Sequence, residues 1–212
     1  MIELDSLYEK LYEKYGNLHW WPGDTRDEII IGAILTQRTS WNNVEKAIKN
    51  LKGNNLLSLA NILNANLELL KECIKPSGFY QTKAVALKNI SSFFTINKIK
   101  EFEETQDIEK IRRQLLGIKG IGPETSDSIL LYGFGKKIFV VDAYTKRIIE
   151  RIGYKETKYD EIQKLFEKTI KAELELYKNY HAVIVQHGKE VCRKKPLCNK
   201  CVIKEFCNYS VP

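Results

Sequence analysis

The chain predicts an all-α fold. Three observations carry it. Apolar residues recur at spacings of three and four along most of the 212 residues. Breaks rich in Gly, Pro and Asn interrupt them at short intervals, and a single apolar run, 138–141, reads as extended. There is no internal repeat at solenoid periods and no low-complexity tract, so about ten short helices are expected.

Taken in order, Leu4, Leu7, Leu11 and Tyr15 mark one face of a first helix over 1–15. Trp20, Trp21, Pro22 and Gly23 break it. Thr25 and Glu28 then have the spacing of a capping box, opening a helix that runs to about 36. Its stretch 29–35 is apolar all round and belongs at the centre of a core. Ser40 is placed to cap a helix carrying Trp41, Val44, Ala47, Ile48 and Leu51 as far as Gly53. Short helices follow at 56–63 and 67–74, then a break at 76–78. A longer helix carries Ala84, Leu87, Ile90 and Phe94, and another carries Ile108, Ile111 and Leu115. Beyond Asp142, helices are expected over 143–152, 159–172 and 175–188.

Charge narrows the function. The formal net charge of +7 and a pI near 9.0 favour an anionic partner, nucleic acid first. The longest apolar run, 29–35, is too short for a membrane span, and no secretion signal opens the chain. A soluble, cytoplasmic protein is expected, with a monomer as the simplest state. Four of the five cysteines fall within sixteen residues, a metal-like clustering suited to a reducing compartment.

Two stretches carry chemistry. Gly120-Ile121-Gly122-Pro123 is a hairpin opening a helix: glycine admits a tight turn and a close backbone approach, and proline at the first helical position leaves no N–H unpaired. The remaining N–H groups favour an anion; the competing reading is an ordinary turn between helices. Asp142 stands at the next helix start, where an aspartate is commonly an N-cap. A carboxylate held ionised there could also stabilise positive charge developing on a sugar and orient a water. The cysteines follow as Cys192-x5-Cys198-x2-Cys201-x5-Cys207. Their density suits a tetrahedral zinc or a [4Fe–4S] cluster, although zinc sites more often pair two C-x2-C knuckles.

In order along the chain, ILTQRTSWNNVEKAI, IKPSGFYQTKA, GIKGIGPETSDSILLYGFGKKIFVVDAYTKR and the terminal cysteines resemble the helix-hairpin-helix DNA glycosylases related to endonuclease III. The branch containing the 3-methyladenine DNA glycosylases is nearest. The resemblance implies a two-lobed helical glycosylase fold: a helical barrel domain over 19–136 carrying the hairpin, and a second lobe from 1–18 plus 137–212 with a cluster loop at 192–207. It makes Asp142 the catalytic aspartate. Gly120 and Gly122, with Lys119 beside them, fall to the DNA backbone. Gln37 and Phe79 match residues that wedge into the duplex when a base is flipped out, although helix-end polarity and core packing remain the alternatives. Trp41 and Trp21 are candidates for stacking an electron-poor alkylated purine, and Glu124 borders that pocket.

The same resemblance favours the iron–sulfur cluster over zinc at Cys192, Cys198, Cys201 and Cys207. Arg193 and Lys194 lead a basic surround suited to backbone phosphates, and His187 is expected to hydrogen-bond near the cluster rather than ligate. Two departures stand out. The bifunctional members carry a Schiff-base lysine where this chain has Glu124, and Gly133, Gly135, Lys136 and Lys137 occupy a turn that often holds proline. The expected activity is therefore hydrolysis of the N-glycosidic bond of a damaged base, an alkylated purine such as 3-methyladenine first. A glycosylase/AP lyase acting on uracil, oxidised pyrimidine or oxidised guanine is one alternative, and a non-catalytic DNA-binding module is the other.

Overall fold

The computed structural model describes residues 2–19, 23–94 and 96–209. Among them are twelve α-helices: α1 (Leu4–Tyr15), α2 (Arg26–Leu35), α3 (Trp41–Gly53), α4 (Leu59–Asn64), α5 (Leu67–Ile74), α6 (Tyr80–Phe93), α7 (Ile96–Glu104), α8 (Ile108–Leu116), α9 (Pro123–Ser128), α10 (Ala143–Arg151), α11 (Tyr159–Thr169) and α12 (Leu174–Glu190). No described residue is in a β-strand, and no helix is long and apolar enough to cross a membrane. The all-α expectation holds, with α7 as a helix that the periodicity did not mark. Backbone contacts divide the chain into two compact units, Met1–Trp20 with Lys137–Pro212, and Trp21–Lys136.

In the unit Trp21–Lys136 the core is built on α2. Ile30, Ile31, Ile34 and Leu35 are all fully buried, as an all-round apolar helix requires. At its start the capping box is only half made. Thr25 accepts the Glu28 N–H at 3.2 Å, but the Glu28 carboxylate reaches past Thr25 to the Asp24 N–H at 3.1 Å. Ser40 occupies the cap position of α3 without making a side-chain cap bond. Phe93, Phe94, Phe102 and Phe134 form an aromatic cluster with centroids 5.1 to 5.7 Å apart. The Arg26 guanidinium lies 4.9 Å over Phe134. After α9 the helix widens into a π-helical turn, Ile129–Gly133, whose Gly133 carbonyl accepts from Arg26 Nε at 3.1 Å.

The other unit packs α1 and α10 against α12. Leu4, Leu7 and Leu11 are fully buried, as their spacing predicts. Phe139 and Phe166 stack at 4.1 Å, with Tyr177 and Tyr180 edge-on to Phe139. The apolar run 138–141 forms no ladder. Three of its backbone groups are met by side chains of α11 instead: Phe139 N–H donates to Glu167 at 2.9 Å and Phe139 O accepts from Gln163 at 2.7 Å. Val141 N–H reaches the Tyr159 hydroxyl at 3.4 Å. Buried backbone groups need partners, and these side chains supply them without a second strand.

Candidate functional site

The hairpin joins α8 to α9, and a buried ion pair ties the two helices. Arg112 Nε and Nη2 donate to the two oxygens of the fully buried Asp127 at 2.8 and 3.1 Å. The two glycines serve different ends. Gly120 has φ +99, and a Cβ there would stand 2.6 Å from Ala86 Cβ, so conformation and packing both demand glycine. Gly122 has φ −99, with nothing within 4 Å of where its Cβ would be. Nothing inside the protein requires glycine at 122; the open space above the α9 N-terminus does admit an incoming group. Lys119 turns its carbonyl inward to Asn89 Nδ2 at 3.1 Å. Glu124 is exposed in the first turn of α9.

Gln37 sits just beyond α2 and is fastened to the hairpin. Its Nε2 donates to Gly120 O and to Thr125 Oγ1, each at 3.0 Å. Phe79 caps α6 with φ +47 and is 60% exposed, which removes core packing as its role. Arg38, next to Gln37, also has a left-handed backbone, φ +52, and lays its guanidinium 5.8 Å over the Phe79 ring. Left-handed non-glycine residues are costly and concentrate at functional surfaces. Sequence reasoning missed Arg38, because nothing in the local pattern signals a positive φ. Trp41 is half-buried at the start of α3, its Nε1 3.1 Å from Glu45. Trp21 lies outside the described residues.

In the other unit Asp142 is the N-cap of α10. Oδ1 accepts the Thr145 N–H at 2.8 Å and the Thr145 hydroxyl at 2.9 Å. Oδ2 lies 3.8 Å from Nε2 of the buried His181, whose imidazole burial pushes down, towards the neutral form. Tyr144 packs its ring against Gly188 of α12, where any Cβ would collide with it. Burial first, and then the Asp142 charge, push the Tyr144 phenol up. The site is therefore a nearly enclosed carboxylate with one oxygen committed to the helix start. It suits the stabilisation of nearby positive charge.

The far end of α10 grips the cysteine loop. Arg147 donates to Cys192 O at 2.8 Å and to Gly188 O at 2.9 Å. Arg151 donates to Cys192 Sγ at 3.2 Å, Arg193 O at 2.7 Å and Lys194 O at 3.3 Å, with its face 4.1 Å from the Tyr209 ring. Cys192, Cys198, Cys201 and Cys207 all line one cavity of about 220 Å³. Among the described residues no group of three or more His, Cys, Asp or Glu could hold a metal ion.

His187 contacts Cys201 Sγ through Nε2 at 3.4 Å and the Tyr15 hydroxyl through Nδ1 at 3.1 Å. Burial pushes His187 down to about 4 and pushes Tyr15 well up. The neutral imidazole carries one ring proton for these two contacts, Nδ1 with the Tyr15 hydroxyl and Nε2 with the sulfur. Arg193 and Lys194 keep exposed side chains while Arg151 holds their carbonyls.

Residues 31–172 match the HhH-GPD superfamily of base excision DNA repair proteins, and the chain belongs to that superfamily. A protein of Methanocaldococcus jannaschii named as a candidate DNA repair glycosylase is 52% identical over 207 residues, 95% of this chain and 94% of the relative. An endonuclease III of Sulfolobus acidocaldarius is 30% identical over 217 residues, 97% of this chain and 95% of its own. Among solved structures, a Helicobacter pylori 3-methyladenine DNA glycosylase bound to 1,N6-ethenoadenine is similar at a TM-score of 0.76 and 31% identity. The match covers 89% of this chain and 98% of that one.

Proposed function

We propose that the chain is a monofunctional DNA glycosylase that removes a damaged base from duplex DNA, an alkylated purine such as 3-methyladenine first. The observation that carries the proposal is the Asp142 carboxylate, nearly enclosed and bonded to Thr145, in a chain with Glu124 where a Schiff-base lysine would be needed. The carboxylate stabilises positive charge on the sugar as the N-glycosidic bond lengthens and orients the water that attacks it. With no amine at position 124, the abasic product is released without strand cleavage. The open space at Gly122 seats a backbone phosphate on the α9 N–H groups, Gln37 and Phe79 fill the gap left by the flipped base, and Trp41 faces the base. The likeness to a 3-methyladenine glycosylase supports the substrate class.

Asp142→Asn is expected to abolish base release while leaving duplex binding intact; full release by the variant would return the chain to a DNA-binding module. Duplexes carrying single lesions, read with and without alkali, test the rest. Base loss revealed only by alkali supports simple hydrolysis. Nicking without alkali, or preference for oxidised pyrimidine, uracil or oxidised guanine, would favour the second reading, which the endonuclease III relative supports.

The four thiols around one cavity, with Arg151 and His187 directed at two of the sulfurs, fit a [4Fe–4S] cluster held by Cys192, Cys198, Cys201 and Cys207. Held by those four thiolates, a bound cluster would cross-link the loop. Arg193 and Lys194, both exposed, would then stand on an ordered edge suited to backbone phosphates. A brown preparation with thiolate-to-iron absorbance and about four iron atoms per chain is expected; a colourless preparation containing one zinc would reverse the assignment.

A further inference from the structure

Lys83 lies on α6 and is 2% exposed. Its ammonium donates to two carbonyls, Leu35 O at 2.8 Å and Ser77 O at 2.7 Å. Among the described residues no carboxylate pairs with it, and burial lowers it to about 8. Burying an unpaired cation is expensive, and capping the end of α2 does not call for it, since a lysine reaching a helix C-terminus can do so from solvent.

The two carbonyls explain the location. Leu35 ends α2 and Gln37 and Arg38 follow it; Ser77 ends the turn Lys75–Ser77, and Gly78 and Phe79 follow it. Both segments then enter left-handed backbone, at Arg38 (φ +52) and at Phe79 (φ +47), and the two side chains meet above as guanidinium over ring. Lys83 itself starts one turn into α6, its N–H bonded to Phe79 O at 3.0 Å. One ammonium thus pins both strained corners from beneath.

We propose that Lys83 is the positioning residue of the duplex wedge: by bridging Leu35 O and Ser77 O it holds the Arg38 and Phe79 corners together, so that the exposed ring meets DNA already in place. This inference rests on the glycosylase reading. The strain at the two corners is borne in the free protein, and no loop has to be ordered when the duplex is opened. Arg38 steadies the ring from one side, and Gln37, fixed to the hairpin, sets the height of the adjoining segment.

The test is a double-mutant cycle between Lys83→Met and Phe79→Ala, read two ways on duplex DNA. One readout is single-turnover base release. The other is the fluorescence of a 2-aminopurine next to the lesion, which reports unstacking without requiring excision. Lys83→Met is expected to slow release by about tenfold to a hundredfold and to weaken the fluorescence rise. In the Phe79→Ala background it should change neither readout further. Thermal melting confirms that each variant is folded at the assay temperature; if Lys83→Met is not, Arg38→Ala takes its place in the same cycle. Equal losses in both Phe79 backgrounds, or no loss in either, would overturn the positioning role while base release by the unsubstituted protein still upholds the glycosylase reading. Unstacking without base release by the unsubstituted protein would remove that reading and leave the wedge cycle measurable. Absence of both would remove both.

Discussion

Substituting the two hairpin glycines one at a time should separate what the fold needs from what DNA needs. In Gly120→Ala the new methyl meets Ala86 Cβ at 2.6 Å on a backbone with φ +99. The backbone strain costs about 1 to 3 kcal/mol, and the overpacking a further 1 to 3 kcal/mol, roughly. Against a domain stability of about 5 to 15 kcal/mol, the combined loss is large. Ala86→Gly should relieve the overlap but not the strain, at about 1 kcal/mol for glycine within a helix. The double variant should therefore lose less than the sum of the singles. Gly122→Ala is the opposite case: its φ of −99 suits alanine and nothing lies within 4 Å of the added methyl. Its stability should stay within roughly 0.5 kcal/mol of the parent.

Duplex affinity should fall nevertheless, because the methyl occupies the proposed phosphate seat. Losing one charge-assisted bond of about 1.5 to 3 kcal/mol means a Kd raised about tenfold to a hundredfold. The salt dependence should also flatten by about one phosphate's worth of counterion release. Urea denaturation and fluorescence anisotropy at several salt concentrations give both quantities. Gly122→Ala binding duplex as tightly as the parent would refute the phosphate seat. A Gly120→Ala variant of undiminished stability would refute the packing argument.

Arg112→Met should cost about 3 to 5 kcal/mol by removing the guanidinium from the fully buried Asp127, measured as a shift in urea midpoint; a loss below about 1 kcal/mol would show that the ion pair does not hold the hairpin helices together. The contribution of Lys83 to stability should rise with pH between 8 and 10. Lys83 titrates near 8 when folded and near 10.5 when unfolded, so the unfolded chain binds the extra proton across that window. The slope from this group is at most about 1.4 kcal/mol per pH unit and should be missing in Lys83→Met. Above pH 10 the buried Tyr177, pushed up to about 12, acts in the opposite sense, so the comparison belongs below that point.

Local signals carried much of the fold. Apolar spacing in α1, α2 and α3 translated into buried faces, and the glycine hairpin and Asp142 stood at the helix starts that turn and capping preferences predict. The losses were non-local. The run 138–141 has a strand's composition, but its partners are side chains on α11, 18 to 28 residues ahead, which no window over the run contains. Lys83 looks like any surface lysine of an amphipathic helix, since burial of its ammonium depends on two carbonyls from other segments. The left-handed corners at Arg38 and Phe79 are equally silent, neither residue being a usual bearer of positive φ. The Glu28 carboxylate, bonded one residue earlier than its spacing suggests, shows a correct motif with a shifted partner.

The fastening of 138–141 has a consequence for how the enzyme can vary. A ladder engages or releases as a unit, whereas Glu167, Gln163 and Tyr159 hold the approach to Asp142 as three separate hooks. Amides along the approach should then exchange with solvent in steps, one hook at a time, and the placement of the carboxylate can be graded by changes on α11, a helix other than the one that Asp142 caps.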